Sequence, residues 1–435
     1  MREDWIKCKI GDIFNFVGGG TPSKTNGKYW NGDIPWASIK DIKGDFLNST
    51  INKITYEGLT NSASNLVAID EVILATRINP GRPIISKINT SINQDLKVVK
   101  PKLELPSVFV FYLFKFLEKE IVGLSSGTTV LGIGLNRLKD IKFSLPPLPE
   151  QRAIVKKLES LFSSLDAGVA DLKKAQQQLK IYRQAVLKKA FDSNGEFVII
   201  GECFSFLGGG TPSKQNKDYW NGDINWASIK DIKGDILNNT IDYITEEGLK
   251  NSSSNLAEKD EVILATRINP GKTIISNIRT AINQDLKVIK PFQKCDHKYV
   301  HYLFKSIEHK CLKVSSGTTV LGISLPNLKE IEIPFENDIH KQAQIVKQIE
   351  SRLSVCDSIE QNIIDSLEKA EALRQSILKK AFEGNLLTVQ ELAECKLAED
   401  YEPASVLLER IKAEQTEIKA KPSKKKPRHS VAKSQ

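Results

Sequence analysis

The sequence predicts an α+β fold of two homologous α/β units joined by two long helices, and three observations support this prediction. First, residues 11 to 141 recur at 201 to 331 without an inserted or deleted residue. Second, each copy is rich in glycine, asparagine and β-branched residues, and a stretch rich in lysine, glutamine, leucine and alanine follows it. Third, apolar residues in both stretches return in alternating steps of four and three, as in a coiled coil. The chain is therefore one unit used twice.

Within each copy, apolar runs and turn residues predict the local structure. In the first copy, Val72-Ile73-Leu74-Ala75 and Ile84 to Ile88 are predicted strands around an Asn79-Pro80-Gly81 turn. Lys97 to Val99 is a further predicted strand, and Val108 to Leu117 is a predicted short amphipathic helix. The mixture of strands and helices makes each unit α+β.

Two helices of roughly 40 residues are predicted after the copies, each about 60 Å long at about 1.5 Å per residue. Pairing them antiparallel is the simplest way to bury both seams in one chain, and it gives the units a pseudo-two-fold relation. Arg183 and Arg374 lie on the seams, and we expect their side chains to reach solvent rather than to fix the register. The predicted seams are Leu158, Phe162, Leu165, Val169, Leu172, Gln176, Leu179, Arg183, Val186 and Ala190, then Ile349, Leu353, Cys356, Ile363, Leu367, Ala370, Arg374, Ile377 and Ala381.

The repeat also excludes several kinds of chemistry, because a residue essential to both copies should recur at the same offset. All five histidines lie in the second half of the chain, and no cysteine has a counterpart in the other copy. A shared histidine base, zinc site or cysteine nucleophile is therefore not supported, and we expect buried, reduced thiols. No run of about 18 apolar residues occurs, so a cytoplasmic protein without membrane contact is expected. The net charge of +9 suits a polyanion such as nucleic acid.

The polar loops that recur in both copies hold the candidate DNA-binding residues, because their side chains can donate to phosphates and base edges. Each loop has a structural alternative: the glycine-rich segment at 18–24 could be a turn alone, and the arginine and serine-threonine segments could serve only to stabilise loops. Trp30 and Trp36 are predicted core residues. The candidates are Thr21, Ser23, Lys24, Lys40, Arg77, Asn79, Ser126, Thr128 and Thr129, with their copies Thr211, Ser213, Lys214, Lys230, Arg267, Asn269, Ser316, Thr318 and Thr319.

Four motifs follow one another in a characteristic order. They are Trp5 to Phe14 before Gly-Gly-Thr-Pro-Ser, then Tyr29 to Trp36, then Ser126 to Thr129, and Leu145 to Gln151 leading into a long helix. In this order the chain resembles, over nearly its whole length, the DNA-specificity subunit of type I restriction-modification systems. The second copy departs from the pattern, with Gly195 in place of Trp5 and a different entry into its helix.

The resemblance implies a fold, a role and partners. Each globular unit would be a target-recognition domain that reads one half of a bipartite site in double-stranded DNA, and the helices would set the spacer and dock two methyltransferase subunits. The chain itself would be non-catalytic and bind no cofactor, with S-adenosylmethionine on the partner methyltransferase; whether restriction subunits also join is left open. The expected domains are 1–149, 150–192 (first spacer helix), 193–339, 340–383 (second spacer helix) and 384–435, the last with a helix over Ala404 to Ala420 and a basic, disordered tail from Lys421 to Arg428.

Two alternatives remain open on the sequence alone. A freestanding DNA-binding regulator fits the same loops and charge. An adenine methyltransferase acting alone is supported only by Phe16-Val17-Gly18-Gly19-Gly20, since Asn79-Pro80-Gly81 lacks the second proline and the aromatic residue of that catalytic loop.

The similarity of the copies predicts half-sites that are close to inverted copies of one another. Differences between half-sites should then arise where the copies differ. Such positions include Thr25 and Gln215, Lys28 and Asp218, Pro35 and Asn225, Arg82 and Lys272, and Asn89 and Arg279.

Overall fold

The computed structural model describes residues 2, 4–192, 196–410 and 413, and the chain divides into two compact units. Unit 1 comprises Met1–Val169 and Leu367–Gln435, and unit 2 comprises Ala170–Ser366. Each unit thus contains one copy of the repeat together with one end of each long helix. The predicted tail from Lys421 to Arg428, and Gly195, lie outside the described residues.

The strands of unit 1 form three sheets. The two-stranded sheet has the order β1-β11, the five-stranded sheet β2-β10-β7-β8-β4, and the four-stranded sheet β5-β3-β9-β6. Most neighbours are antiparallel, whereas β3 with β9 and β4 with β8 are parallel. The strands are β1 (Ile6–Lys9), β2 (Phe14–Gly18), β3 (Trp30–Ala37), β4 (Phe46–Leu47), β5 (Asn52–Ile54), β6 (Leu66–Val67), β7 (Val72–Ala75), β8 (Pro83–Ser86), β9 (Thr90–Ile92), β10 (Leu96–Pro101) and β11 (Lys142–Leu145).

Unit 2 repeats this topology strand for strand. Its sheets have the orders β12-β22, β13-β21-β18-β19-β15 and β16-β14-β20-β17. The strands are β12 (Glu196–Ile199), β13 (Phe204–Gly208), β14 (Trp220–Ala227), β15 (Ile236–Leu237), β16 (Asp242–Ile244), β17 (Asn255–Ala257), β18 (Val262–Ala265), β19 (Thr273–Ser276), β20 (Thr280–Ile282), β21 (Leu286–Pro291) and β22 (Glu332–Phe335).

The helices include two long ones, α5 and α11, as the seam pattern predicts. The helix predicted over Val108 to Leu117 is confirmed but continues to Gly123, because Ile121 is also buried against the core. The helices are α1 (Ile10–Ile13), α2 (Tyr56–Thr60), α3 (Ser107–Gly123), α4 (Leu135–Asp140), α5 (Leu148–Asp192), α6 (Ile200–Cys203), α7 (Glu246–Lys250), α8 (His297–Ser306), α9 (Glu308–Lys313), α10 (Leu325–Lys329), α11 (Ile339–Phe382) and α12 (Val389–Lys396).

The five-stranded sheet of each unit is buried on both faces, which explains its unbroken apolar strands. All residues of β7 and β8 are buried, and Val72 pairs with Ile85 across the antiparallel ladder. Such continuous apolar strands are typical of a sheet covered on both sides. One face packs on α3, and the other packs on the smaller core formed around Ile92 and Val98.

The two long helices pack side by side in each unit. In unit 1 the beginning of α5, with Leu158 and Phe162, shares a core with Ile377 and Phe382 near the end of α11. In unit 2 the end of α5, with Val186, shares a core with the beginning of α11. The helices are therefore antiparallel within each unit, and every predicted seam residue is buried or half-buried.

The prediction for the two seam arginines was wrong. Arg374 forms an ion pair with Asp166 and lies 4.5 Å from the ring centre of Phe162, all within unit 1. Arg183 forms ion pairs with Asp357 at 2.6 Å and with Glu360, all within unit 2. The acidic partners lie on the opposite helix at equivalent positions of the repeat, so the arginines link the helices instead of extending into solvent. Partly exposed pairs of this kind favour one register more than they add stability.

Unit 1 has a buried polar contact at the start of α5 whose residues are not repeated in the sequence of unit 2. The Glu150 side chain is fully buried, accepts a hydrogen bond from Trp5 Nε1 at 2.8 Å and pairs with Arg2 at 3.1 Å. At the equivalent place in unit 2 stands Lys341. The difference at the helix entry is therefore real, although Gln151 and Gln342 both donate to a backbone carbonyl that precedes the helix.

We expect Trp5→Phe to destabilise unit 1, because it leaves one oxygen of a buried carboxylate without its donor. The loss should be about 1–3 kcal/mol in the free energy of unfolding, measured by urea denaturation. Trp220→Phe is the matched control, since the Trp220 indole bonds to an exposed carbonyl in unit 2. Equal stability of the two variants would contradict a contribution from the Glu150 contact.

The C-terminal part of unit 1 extends beyond α11. Residues 404–410 are helical, as predicted, and the rest of the predicted helix, apart from residue 413, lies outside the described residues. The part of the chain that follows α11 contacts the start of the chain, where Lys396 pairs with Asp4 at 2.9 Å. It also contacts the beginning of α5, where Arg152 pairs with Asp400 at 2.7 Å. Helix α12 was not predicted from the sequence.

The structure also bears on the cysteines and on membranes. No disulfide bond joins any of the six cysteines, all of which lie in the described ranges; five are buried and Cys295 is half-buried. Burial raises the pKa of the Cys203 thiol to about 11 and that of Cys311 to about 12. Within the described ranges, no helix has the length and apolarity to cross a membrane, and no cluster of His, Cys, Asp or Glu side chains is suited to a metal ion.

Candidate functional site

A cleft of about 540 Å³ opens on unit 1 between the five-stranded and four-stranded sheets. Loops after β2, β3 and β9 reach it, together with the turn after β7. Its wall combines two aromatic rings with lysines, amides and hydroxyls. The lining residues are Thr21, Lys24, Trp30, Trp36, Ser38, Ile39, Lys40, Asn52, Ile78, Asn93, Gln94 and Asp95.

The glycine-rich segment owes its sequence to close backbone packing. A Cβ atom on Gly19 would lie 2.2 Å from the carbonyl oxygens of Ile92 and Asn93, so no side chain fits there. The next carbonyl, that of Gly20, accepts a hydrogen bond from Trp36 Nε1 at 3.0 Å. The glycines therefore allow the close backbone packing that positions Thr21 and Lys24 in the cleft.

The two tryptophans of the cleft are packed at 5.2 Å between ring centres in an edge-to-face arrangement. Trp36 is buried, as predicted, whereas Trp30 is only partly buried and lines the cleft. Trp30 Nε1 donates to the carbonyl of Ser23 at 3.1 Å, which fixes the segment that follows the glycines. The prediction of a core role was thus correct for Trp36 and incomplete for Trp30.

Opposite the glycines, the short link between β9 and β10 carries three polar residues in a hydrogen-bonded group. Asn93 Nδ2 donates to Asp95 Oδ2 at 3.0 Å, and Thr21 Oγ1 donates to Gln94 Oε1. The other carboxylate oxygen of Asp95 pairs with Arg77 Nη1 at 3.1 Å. Arg77 remains 52% exposed while anchored at one nitrogen, so the rest of its guanidinium is available to a ligand.

The turn after β7 presents an apolar side chain in an unusual conformation. Ile78 has a φ of +71°, and its side chain is 47% exposed at the rim of the cleft. A β-branched residue strongly disfavours this conformation, which costs of order 1–3 kcal/mol. The backbone N–H of Ile78 donates to the carbonyl of Leu131 at 2.8 Å, so the following loop holds the strained turn in place.

The structure places three of the nine predicted residues of unit 1 in the lining of the cleft: Thr21, Lys24 and Lys40. Arg77 lies outside the lining but pairs with Asp95, which belongs to it. Ser23, which shares a hydrogen bond with Thr25, and Asn79, which lies in the turn, also lie outside the lining. The exposed residues Ser126, Thr128 and Thr129 belong to a loop whose Gly132 forms bridges with Arg77 and Ser126, beside the same turn.

Unit 2 builds the same arrangement from its own copy. Trp220 and Trp226 are again 5.2 Å apart, and Arg267 pairs with Asp285 at 3.0 Å. Thr211 donates to Gln284, and Ile268 has a φ of +70°. The candidates Ser213, Lys214, Lys230, Asn269, Ser316, Thr318 and Thr319 occupy the positions equivalent to those in unit 1.

Besides the two tryptophans, sequence reasoning missed seven residues of the cleft: Ser38, Ile39, Asn52, Ile78, Asn93, Gln94 and Asp95. A signal for the last three was present, since Ile92 to Val98 recurs unchanged as Ile282 to Val288. Nothing in the pattern of a short polar link between strands distinguishes it from an ordinary turn. Its role follows from the sheet, where parallel pairing places Ser91 beside Trp36.

The chemistry of the cleft is that of binding. Lys24, Lys40 and their copies are exposed, and none has an ion-pair partner in the part of the chain that the structure describes. The groups that contact phosphates and base edges in DNA include the ammonium group of lysine, the guanidinium group of arginine, threonine hydroxyls and side-chain amides. In unit 1 the one carboxylate of the lining, that of Asp95, is engaged by Arg77 and Asn93.

The sequence profile of the type I restriction modification DNA specificity domain matches the chain twice, over residues 2–175 and 193–369. The chain belongs to this specificity-domain family. Each match spans one copy of the repeat and most of the helix that follows it, so the whole of the duplicated arrangement belongs to the family.

Related proteins agree with this assignment. The EcoR124I/EcoR124II specificity subunit of Escherichia coli is 29% identical over 250 residues, which cover 54% of this chain and 60% of that subunit. The EcoKI specificity subunit of Escherichia coli is 24% identical over 468 residues, covering 98% of each chain. The chain thus spans somewhat over half of the first relative and nearly all of the second.

A solved structure supports the fold. A chain from a study of complex assembly and conformational transition of the type I R-M system superposes with a TM-score of 0.71 at 19% identity. The match covers 89% of this chain and 99% of that chain. At this identity the likeness concerns the fold, which in each unit is the one expected for a specificity domain.

Proposed function

We propose that this chain is the DNA-specificity subunit of a type I restriction-modification complex and has no catalytic role itself. Each unit reads one half of a bipartite site in double-stranded DNA through its cleft. The observation that carries this proposal is the duplication, in two units of a single chain, of the residues that form this cleft. They include lysines without an ion-pair partner among the described residues and an arginine that an aspartate holds at one nitrogen. Two copies of one binding surface suit a ligand with two similar halves.

The DNA contacts follow from the chemistry of the side chains. Lys24, Lys40 and their copies Lys214 and Lys230 act on phosphates, where charge matters more than direction. Arg77 and Arg267 have the fork geometry to read a guanine edge, with one nitrogen already oriented by an aspartate. The Ser126 and Thr128 to Thr129 loop, and its copy at 316–319, contact the backbone next to the turn.

The long helices have a different task. Their outer faces carry exposed apolar side chains, among them the neighbours Ile181 and Tyr182 on α5, at 67% and 51%. We propose that these faces dock the two methyltransferase subunits, which carry S-adenosylmethionine, and that the length of the helices sets the spacer. Restriction subunits would join through the same assembly, in the cytoplasm.

Methylation mapping tests the proposal. Genomic DNA from cells with this protein and its neighbouring methyltransferase is compared with DNA from cells lacking this protein alone. The expected result is loss of one bipartite N6-methyladenine motif whose half-sites are close to inverted copies. An unchanged methylome would favour the freestanding DNA-binding regulator, which should bind a specific sequence tightly without a methyltransferase.

A further inference from the structure

Comparison of the residues that line the cleft of unit 1 with their counterparts in unit 2 isolates one position at which they differ. Of the twelve residues that line the cleft of unit 1, eleven recur unchanged at the equivalent positions of unit 2. The exception is Asn52, whose counterpart is Asp242. Other differences between the copies, such as Lys28 and Asp218, lie outside this lining.

The sheet directs this position towards the cleft. Asn52 pairs directly with Trp36 across the antiparallel strands β3 and β5, and Asp242 pairs with Trp226 across β14 and β16. Directly opposed residues place their side chains on the same face of a sheet. The neighbouring pair, Pro35 with Lys53, therefore lies on the opposite face.

Both side chains are exposed and available. Neither the Asn52 amide nor the Asp242 carboxylate has a hydrogen-bond partner among the residues that the structure describes. In both units the threonine two residues earlier, Thr50 or Thr240, donates to the main-chain carbonyl of this residue. The backbone is thus held at both positions, while the side chain is left for a ligand.

The two side chains offer different hydrogen-bonding patterns. An amide both donates and accepts, which matches the N6 amine and N7 of adenine in the major groove. A carboxylate only accepts, which matches the N4 amine of cytosine. Asparagine and aspartate have nearly the same shape, so the exchange alters the pattern without altering the cleft.

We infer that position 52 and its copy 242 determine the difference between the half-sites. This inference rests on the proposed function. The half-site read by unit 1 has adenine facing Asn52, the half-site read by unit 2 has cytosine facing Asp242, and the other bases that face the clefts are the same.

The test exchanges the two residues in the intact complex. Methylation is mapped in cells that express wild type, Asn52→Asp, Asp242→Asn or the double exchange, each with the neighbouring methyltransferase. Asn52→Asp should change one base pair of the first half-site from A·T to C·G and make the halves identical, and Asp242→Asn should do the reverse. Asn48→Asp, at another exposed position that lies outside the lining, makes the same chemical change and should leave the motif unaltered.

A second measurement covers variants that lose methylation. The purified complex is titrated with four duplexes that differ only at the base pair in question. Asn52→Asp should reverse the preference by roughly 5- to 150-fold, the range expected of one good base contact. Equal weakening on all four duplexes, or an unaltered motif in both exchanges, would overturn the inference. Absence of any bipartite motif in the wild type would instead count against the proposed function.

Discussion

Replacing Gly19 with alanine should abolish reading of one half-site while leaving the fold of unit 2 intact. The new Cβ would meet two main-chain oxygens at 2.2 Å, and neither can move without displacing β9. Overpacking of this kind costs about 3 kcal/mol or more, because the neighbours are backbone rather than flexible side chains. Thermal unfolding of the complex should show a drop of at least about 6 °C in the transition of unit 1.

Gly27→Ala is the matched control for this variant. No atom lies within 4 Å of a Cβ placed on Gly27, and its counterpart in unit 2 is Lys217, so a side chain is tolerated there. Its stability should differ from wild type by less than about 0.5 kcal/mol. If Gly19→Ala had the same unfolding temperature as this control and the complex still methylated the wild-type motif, the close packing at Gly19 would not be needed for DNA recognition.

Removing the four cleft lysines should produce the largest reduction in DNA affinity. In the variant with alanine at Lys24, Lys40, Lys214 and Lys230, up to four phosphates are no longer neutralised by the protein. The slope of log affinity against log salt should fall in magnitude by about 0.9 for each such phosphate, hence by up to about 4. Fluorescence anisotropy over a series of salt concentrations measures both the slope and the affinity.

The control for the lysines removes the same charge elsewhere. Lys7, Lys142, Lys174 and Lys329 are exposed and lie outside the cleft, so their joint replacement with alanine should change the slope far less. The base preference of the cleft variant should be retained, because phosphate contacts carry no sequence information. Equal slopes for the two quadruple variants would show that the lysines do not face the DNA.

The sequence predicted the parts of the fold that depend on local pattern. The seam of α5 was evident from its spacing, and β7 and β8 from their apolar runs. The ion pairs of Arg183 and Arg374 were not, since their partners Asp357 and Asp166 lie on the other helix, far away in the chain. A pattern along one helix cannot show which acidic residues another helix will bring alongside.

The candidate site was predicted in part for the same reason. Thr21, Lys24 and Lys40 were found because polar residues recur in loops of both copies, and the structure places them in one cleft. Gln94 and Asp95 were missed because their position depends on the pairing of β9 beside β3. The strain at Ile78 has no signal in sequence, where isoleucine after arginine suggests an ordinary strand.

The division of the chain has a consequence for its synthesis. Unit 2 is one continuous segment, Ala170–Ser366, whereas the core of unit 1 combines Trp5 and Phe109 with Phe382 and Leu407. Because domains fold as units while the chain emerges from the ribosome, unit 2 can complete its core first. The apolar face of α3 must wait for more than half of the chain to be translated, so the nascent protein is most prone to aggregation through its N-terminal copy.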